Sequence, residues 1–397
     1  MRGRNKRNIL FLVQNLSVPF DRRVWMEATS LHHAGYSVTI ICRTMKNQDK
    51  LIERLDGIRI LRFPLPFEGR GKIGIILEYL WSVVCIFILT QLVAFSKKID
   101  VAHICNPPDL LFFCVLPTKY LRKTKVLFDQ HDACPEIWEL KYPQGSVILR
   151  QALFYFERQT FKIADRVISP NDSYKEIAIR RGNFHPDKVR VVRSSPSIEF
   201  LNKNPKEVTS CQDYLSIAYL GTMGSQEGID LLLLALKEIQ SKRPDLKLRL
   251  DLVGDGPEKS ELVLFAQDLG LSQNCIFHGR VSDSDLREIV SSADIAVNPD
   301  RPSKFNDISS MNKVIEYMAL GVPIVQFATI EGERTAEKSA VQAEHPSFQS
   351  LAIAILRLSE DVDSRLAMQE FGLERFKFLC WESQVDNLLT VYEELNS

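Results

Sequence analysis

Short apolar segments alternate along this chain with segments of helical periodicity. Near the start, apolar residues at 8–13 are followed by a helical pattern at 22–34 and, after Gly35, by a second apolar run at 37–42. A strand, a helix and another strand in this order form a βαβ unit, and such units build parallel sheets. The alternation therefore predicts an α/β fold.

The same alternation occurs twice, on either side of a polar segment at 202–213. This segment, NKNPKEVTSCQD, has few large apolar residues and is typical of a linker. A chain of 397 residues also suits two domains better than one core. We predict a doubly wound domain at 1–201, the linker, and a second doubly wound domain at 214–397 whose last helix packs back on the first. The predicted strands are 8–13, 37–42, 58–63, 101–105, 126–129, 166–169, 189–192, 215–220, 247–253, 275–278, 295–297 and 323–327.

An apolar stretch at 73–95 differs from the rest of the first domain. Its only charge is Glu78, and it is long enough to cross a bilayer. Ser82, Thr90 and Gln91 interrupt it, however, and it lies between two strands of one predicted sheet. We rank a helix partly buried and partly inserted in a membrane surface first, a fully buried core helix second and a membrane span third.

Charge is distributed unevenly along a chain whose net charge is zero. Residues 1–200 hold 31 Lys and Arg against 19 Asp and Glu, and the remaining residues hold 19 against 31. The basic half suggests contact with an anionic surface or ligand, and chance segregation between two solvated surfaces is the alternative. The zero net charge argues against a nucleic-acid partner.

The segment 309–325, SSMNKVIEYMALGVPIV, predicts a helix that Gly321 ends and a strand that Pro323 begins. The N–H groups at the start of such a helix bind phosphate well. Glu316, one turn further, suits two neighbouring ribose hydroxyls. Taken alone, a capped surface helix explains the segment equally well. The residues that would hold a diphosphate are Ser309, Ser310, Met311, Asn312 and Lys313.

This segment resembles the donor-binding motif of retaining glycosyltransferases of the GT-B fold, family 4. The residues from Glu316 to Pro323 match the second half of the motif closely. Ile308 stands where the family has its first glutamate, and Asp307 is the expected substitute. The resemblance implies two Rossmann-like domains that face each other across a cleft, with acceptor bound by the first and nucleotide sugar by the second.

Two further segments of the second half resemble the same family. The glycines Gly221 and Gly224 match the loop that enters the donor domain, although Thr222 and Glu227 replace its phosphate-binding Arg and Lys. The diphosphate would then depend on the helix N-terminus, Lys313 or a residue of the other domain. The residues that complete the expected donor site are Arg193 and Val281, the latter in the loop that reads the base.

In the first half, Phe128-Asp-Gln-His131-Asp132 follows a predicted strand, which is where α/β folds place ligand-binding groups. The family has a histidine at the corresponding strand end, near the anomeric carbon. The resemblance therefore implies that His131 belongs to the active centre, with Asp132 as its orienting partner or as an acceptor contact. A local hydrogen bond between the two is the alternative.

Two other loops are candidates for the acceptor. Arg22 and Arg23 begin the first helix and suit a phosphate or pyrophosphate. Asn106 and Asp109 follow another strand and are placed to contact sugar hydroxyls. For both loops, ordinary helix capping, by Asp21 and by Asp109, is an equally good explanation.

The resemblance implies transfer of a sugar from a nucleotide diphosphate sugar to an acceptor hydroxyl, with retention at the anomeric carbon. It implies no metal and no cofactor besides the nucleotide sugar itself as co-substrate; His131, Asp132 and Lys313 are the expected catalytic residues. With the apolar stretch, we expect a lipid-linked saccharide acceptor, surface polysaccharide or glycolipid assembly, and a cytoplasmic protein peripheral on the inner face of the membrane. A nucleotide-sugar epimerase and a non-catalytic partner subunit are the alternatives.

Overall fold

The computed structural model describes residues 7–45, 50–66, 69, 71–211 and 213–396. Within them the chain forms two compact units. The first runs to Arg193 and includes the residues from Gln384 onwards, and the second is Ser194–Ser383. Each unit is built on one sheet with helices on its faces, which confirms the predicted class of two Rossmann-like α/β domains.

The first unit contains an eight-stranded sheet in the order β3-β4-β2-β1-β5-β6-β7-β8, parallel except for the pair β3 and β4. Its central strands are apolar and buried on both faces, as a sheet covered by helices on both sides requires. Its strands are β1 Asn8–Leu12, β2 Ser37–Arg43, β3 Ile52–Leu55, β4 Ile58–Phe63, β5 Val101–Cys105, β6 Lys125–Asp129, β7 Arg166–Ser169 and β8 Val189–Val191. Its helices are α1 Arg22–His33, α2 Gly71–Ser96, α3 Phe112–Arg122, α4 Cys134–Lys141, α5 Val147–Ile163, α6 Asp172–Arg180 and most of α14 Trp381–Asn396.

Strand β3 is absent from the sequence prediction. It pairs antiparallel with β4 through a two-residue turn at Asp56 and Gly57, whose φ angles are 46° and 81°. Left-handed conformations at both positions give a turn that matches strand twist, and an Asp-Gly pair favours it. The dipeptide was therefore the sequence signal for this hairpin.

The second unit contains a six-stranded, fully parallel sheet in the order β11-β10-β9-β12-β13-β14. The strands are β9 Tyr214–Leu220, β10 Lys247–Val253, β11 Cys275–Gly279, β12 Ile295–Asn298, β13 Ile324–Phe327 and β14 Ala340–Ala343. The helices are α7 Ile229–Lys242, α8 Lys259–Asp268, α9 Asp283–Ser291, α10 Asn312–Leu320, α11 Ile330–Ala336, α12 Phe348–Glu360 and α13 Val362–Leu379.

In both sheets the order in which strands are added reverses at a central strand. In the first unit β1 lies between β2 and β5, and in the second β9 lies between β10 and β12. Ligands of doubly wound folds bind at the carboxyl ends of the strands beside such a switch point. The loops after β1, β5, β6, β9 and β12 are therefore the candidate ligand-binding loops.

The polar segment 202–213 is not the boundary between the units, which falls at Arg193 and Ser194. Its polar groups are used in packing on the second unit. The Asn202 N–H donates to Ala319 O at 2.8 Å, the Lys206 ammonium lies 2.6 Å from Asp294, and Thr209 O accepts from Arg365 at 2.5 Å. These contacts are not visible in the sequence, so the polar composition alone predicts a linker. Of the predicted ranges, residues 1–6, 46–49, 67, 68, 70, 212 and 397 lie outside the described residues.

The last helix, α14, begins in the second unit and continues in the first from Gln384. Within the first unit, the Tyr392 hydroxyl lies 2.7 Å from His103 Nδ1, and Glu394 pairs with Arg190 at 2.6 Å. Tyr392 is fully buried. The C-terminal helix is therefore part of the first unit's core.

Candidate active site

His131 lies on the loop after β6, and its ring is held by Asp129, the last residue of that strand. His131 Nε2 bonds to Asp129 Oδ2, and Asp129 is fully buried. Arg23 on α1 donates to both oxygens of the same carboxylate, at 3.1 Å and 2.6 Å. The resemblance gave Asp132 as the orienting partner or as an acceptor contact. The first of these is wrong, because the carboxylate that contacts the ring belongs to Asp129.

Charge in this cluster is set by burial and by the close pairing. Burial alone would raise the pKa of Asp129, but the charges of Arg23 and His131 outweigh it and hold that pKa well below its ordinary value. Burial would lower the pKa of His131, but Asp129 outweighs it and raises that pKa. The His131 ring is therefore stabilised in its charged form.

Arg23 is not placed as a phosphate ligand. Its side chain is 7% exposed, and besides Asp129 it contacts Val192 O at 2.7 Å and Glu27 at 3.2 Å. Arg22, the neighbouring residue, is exposed at the first turn of α1. Asp21 caps this helix by accepting from the Val24 N–H at 3.1 Å, which confirms the capping alternative for this loop.

Asn106 is buried and fixes the backbone of the His131 loop. Its Oδ1 accepts from the N–H groups of His131 and Asp132 at 2.7 Å and 3.1 Å, and its Nδ2 donates to Asp132 O at 2.7 Å. Asp109 accepts from the same Nδ2 at 3.1 Å, and burial raises the pKa of its carboxyl to about 6. Asp109 does not cap α3, whose N-cap is Leu111. Asn106 and Asp109 thus shape the loop that carries His131.

In the second unit, the loop after β9 passes very close to the loop after β10. Gly221 has φ +148°, and a Cβ at Gly254, whose φ is +130°, would lie 1.8 Å from the Gly221 carbonyl oxygen. Only glycine fits such an approach. Gly224 precedes a single 3-10 turn that ends at Gly228. The predicted glycine loop is thus held against the neighbouring strand end.

Lys313 lies beside this loop, and two carboxylates surround its ammonium. Nζ is 2.5 Å from Glu227 and 2.7 Å from Asp300, and the side chain is buried. Burial is the largest influence on Glu227 and raises its pKa, but Lys313 outweighs it and the pKa of Glu227 is lowered. Burial raises the pKa of Asp300 to about 7. The ammonium that the sequence assigns to phosphate is thus already paired with acids.

Lys313 is the second residue of helix α10, whose N-cap residue is Met311. The Met311 side chain makes no capping hydrogen bond. The Ser309 hydroxyl donates to Phe305 O at 2.7 Å. Asp307 is half-buried, and its carbonyl accepts from the Glu331 N–H at 3.0 Å. The other predicted donor residues of this segment are Ser310 before the cap, exposed Asn312 in the first turn and half-buried Glu316 in the second.

Two further predicted donor residues, Val281 and Arg193, lie outside the glycine loop and the start of α10. Val281 is half-buried after β11, in a loop whose Gly279 carbonyl accepts from Gly254 at 2.9 Å. It therefore borders the same group of strand-end loops. Arg193 belongs to the first unit, where its guanidinium lies 3.1 Å from Asp172 and its N–H donates to Gln384 at 3.1 Å.

Glu27, His103 and Asp300 were not predicted as site residues, because a sequence does not distinguish a buried titratable residue from a solvated one. For Glu27 the signal was its position four residues after Arg23 on one helix.

His103, Cys105 and Asp129 lie close enough to share a cation. The Arg23 guanidinium already occupies both oxygens of Asp129, so this set does not fit a metal ion.

Helix α2 exposes its apolar face and turns its polar residues towards the first unit. Ser82 and Thr90 are fully buried, Gln91 donates to Cys114 O at 3.1 Å, and Glu78 lies 3.3 Å from Arg43. Ile73–Ser96 is long and apolar enough to cross a membrane, by length and composition, with 17% of its most apolar window buried. A fully buried core helix is therefore ruled out, and the polar residues do not interrupt its outer face. The exposed apolar residues are Ile73, Ile75, Ile76, Leu77, Leu80, Trp81, Val84, Phe87, Ile88, Leu92 and Phe95.

Family comparisons match the two units in turn. The family model described as Glycosyl transferase 4-like domain matches residues 21–194, and the one described as Glycosyl transferases group 1 matches residues 215–361. Together they cover most of the chain. The chain belongs to the group 1 glycosyltransferases. The family that the motifs predicted is confirmed.

Relatives of this glycosyltransferase extend over most of its length. A chitobiosyldiphosphodolichol beta-mannosyltransferase of Debaryomyces hansenii is 25% identical over 347 residues, which are 81% of this chain and 72% of that protein. A D-inositol 3-phosphate glycosyltransferase of Corynebacterium kroppenstedtii is 24% identical over 408 residues, 94% of this chain and 84% of that protein. The solved structure of sucrose-phosphate synthase from Thermosynechococcus elongatus matches with a TM-score of 0.77 at 18% identity, covering 98% of this chain and 99% of that one. The fold is therefore of the GT-B type.

Proposed function

We propose that this glycosyltransferase moves a sugar, with retention, from a nucleotide diphosphate sugar to a hydroxyl of a lipid-linked saccharide. The observation that carries the proposal is the group of predicted donor residues at the switch point of the second sheet. Gly221 and Lys313 lie side by side there, since a Cβ on Gly221 would be 3.3 Å from Lys313 Cε. The start of α10 adjoins them.

The leaving diphosphate is best held by backbone N–H groups. The N-terminus of α10 carries a partial positive charge, and its N-cap residue Met311 makes no side-chain capping bond. Lys313 is shared with Glu227 and Asp300, so it stabilises the loop and contributes little net charge to the phosphate. Donors aimed at the charge that develops on the leaving group are the expected source of catalysis. We propose that they act without a metal and without a further cofactor.

Replacing Glu316 with Ala tests the donor site. If Glu316 binds the ribose, losing a charged hydrogen-bond acceptor raises the donor KM by about tenfold or more. Steady-state kinetics with each candidate nucleotide sugar measures this. Glu288→Ala, at an exposed position on α9, is the control and leaves the KM unchanged. An unchanged KM in Glu316→Ala would reject the ribose assignment.

The acceptor side of the proposal rests on α2. A helix whose polar face is turned inwards and whose apolar face is exposed suits a lipid surface better than water. Basic groups lie at its C-terminal end: Lys98 is 70% exposed, and the Arg122 guanidinium lies 5.5 Å from the Phe95 ring. The name of the Debaryomyces relative includes a dolichol-linked diphosphate saccharide. We propose peripheral attachment at the inner face of the membrane and a role in surface polysaccharide or glycolipid assembly.

Vesicle flotation tests this attachment. The wild type is expected to float with phosphatidylcholine vesicles, and more fully when phosphatidylglycerol is added. The exposed residues Leu80, Val84 and Ile88 are changed together to Asp, which should abolish flotation because each charge would have to enter the apolar layer. Leu264→Asp, at a residue 59% exposed on the second unit, is the matched control and should float normally. Equal flotation of the triple variant and the wild type would remove α2 as the anchor.

A non-catalytic partner subunit is the second candidate, and the pairing of Lys313 with two carboxylates favours it. The two functions differ in donor binding. A transferase is stabilised by its nucleotide sugar, by an amount that grows with ligand concentration, whereas a subunit without a donor site is not. Thermal unfolding with UDP- and GDP-sugars separates them. For an active transferase, NMR of the product's anomeric proton then tests retention.

A further inference from the structure

Arg23, Asp129 and His131 form a continuous chain of contacts across three elements of the first unit. Arg23 is fixed on α1 by two hydrogen bonds to Asp129 and one to Val192 O. Asp129 ends the buried strand β6 and bonds to the His131 ring. Arg23 and Asp129 are 7% and 0% exposed, so neither is placed to contact a ligand. Their contacts are directed towards His131.

The His131 ring is held at two points. Its Nε2 bonds to Asp129, and the N–H of its backbone donates to Asn106 Oδ1 at 2.7 Å. Nδ1 has no hydrogen-bond partner among the described residues, and the side chain keeps 16% of its surface exposed. Nδ1 is therefore the nitrogen that faces outwards. A ring bonded through Nε2 to a carboxylate can donate through Nδ1 only while it is protonated on both nitrogens.

Other titratable groups near the ring do not offset this arrangement. Burial raises the pKa of Glu27 well above its ordinary value and lowers that of His103, so burial favours the neutral form of each. Arg23 and Asp129 offset each other, and the His131 charge remains. The groups that face His131 are Asp129 at the end of β6, Arg23 and Asp21 at the start of α1, His103 on β5 and Asp132 on its own loop.

We propose that Asp129 and Arg23 are positioning residues that fix His131 as a hydrogen-bond donor through Nδ1, so that His131 does not act as a general base. The inference rests on the proposed transfer reaction. The natural acceptor for Nδ1–H is an oxygen of a bound substrate, and no bond is made or broken at the ring. Asp129 sets the ring's direction and charge, and Arg23 sets the position of Asp129.

The proposal has a signature in pH dependence. Asp129 raises the pKa of His131, and a raised pKa keeps the ring charged to higher pH. Activity that needs the charged ring is lost as pH rises through that pKa. Removing the negative charge of Asp129 must then move this loss to lower pH. A residue that only supports the fold would lower activity at every pH without moving the limb.

Asp129→Asn is the direct test, with Asp132→Asn as its matched control. NMR titration of His131 in the free enzyme is expected to show a clearly lower pKa in Asp129→Asn. The alkaline limb of kcat/KM, which reports the groups of the free enzyme, is expected to move down by the same amount. Asp132→Asn, on the other side of the same histidine, should move both much less. Equal shifts in the two variants, or no shift in Asp129→Asn, would overturn the proposal.

Asp129→Asn leaves Arg23 buried without its partner, which can prevent folding. The double variant Arg23→Met with Asp129→Asn removes both charges together. Because Arg23 lowers the pKa of His131 while Asp129 raises it more, the expected shift keeps its direction and is smaller. The NMR titration needs no substrate, so it separates the two proposals. If Asp129→Asn lowers the pKa of His131 but the wild-type protein shows no transferase activity, the transfer reaction is refuted and the positioning role stands. If the wild type is an active transferase but Asp129→Asn leaves the pKa of His131 unchanged, the positioning role is refuted and the transfer reaction stands.

Discussion

Two buried ion clusters lie at corresponding places in the two units, at strand ends beside the switch point of each sheet. In the first, Arg23 lies between Glu27 and Asp129. In the second, Lys313 lies between Glu227 and Asp300. Each has one fixed cation and two carboxyl groups, so the sequence composition of the two clusters is nearly the same.

The clusters differ in how their charge is shared. In the first, burial raises the pKa of Glu27 well above its ordinary value, so Arg23 pairs mainly with Asp129. The pKa of His131 is also raised, which favours its positive form. In the second, Lys313 lowers the pKa of Glu227 despite burial, while burial raises that of Asp300 to about 7. The first cluster therefore favours a neutral Glu27 and a charged His131, whereas the second favours a charged Glu227 and gains a further negative charge as pH rises through the pKa of Asp300. A cation in a motif does not by itself make a positive site.

Lys313→Met should produce the largest loss of stability. It leaves Glu227 and Asp300 buried without a cation, which costs about 3–5 kcal/mol. The loss should be greater at pH 8 than at pH 6, because at the lower pH Asp300 can take up a proton. Urea unfolding at the two pH values measures it. Lys338→Met, at an exposed lysine of the same unit, is the control and should change stability by less than about 0.5 kcal/mol. A pH-independent loss in Lys313→Met would contradict the charge assignment.

Arg23→Lys should have a smaller effect, because the positive charge remains. A single ammonium cannot reach both oxygens of Asp129 together with Val192 O, so at least one charged hydrogen bond is lost, at about 1.5–3 kcal/mol. Arg158→Lys, at an exposed arginine of α5, is the comparison, and its free energy of unfolding should match that of the wild type. If Arg23→Lys were also neutral, the two-oxygen contact would not be what holds Asp129.

The sheets were predictable because apolar runs bounded by polar residues specify buried parallel strands. Strand β3 was not, because Ile52–Leu55 has two adjacent charged residues between its apolar ends and is only partly buried. The segment 202–213 was misassigned for the opposite reason: its polar residues are used in packing. In both places composition was read correctly, but burial depends on contacts that are distant in the sequence.

The candidate site was predictable in its loops and less so in its contacts. The strand-end positions of His131, Gly221 and Lys313 follow from the order of elements. Their partners do not, because Glu227 lies 86 residues from Lys313 in sequence and Asp129 lies 106 from Arg23. Arg22 and Arg23 are adjacent and chemically alike, and only their direction on the helix makes one exposed and the other buried.

Asp300→Asn tests the second cluster alone and should have the most gradual effect. The pKa of Asp300 is about 7 in the folded chain against 3.8 for the ordinary group, so the folded state binds more protons than the unfolded state between these values. Stability relative to the Asn variant should therefore fall as pH rises through this window, by about 1.4 kcal/mol for each pH unit. The pKa of Glu227 is lowered from 4.5, so above about pH 5 the slope belongs to Asp300. Urea unfolding from pH 5 to pH 8 measures the difference. Parallel curves for the variant and the wild type would mean that Asp300 is ionised throughout, and the second cluster would then be negative at every pH tested.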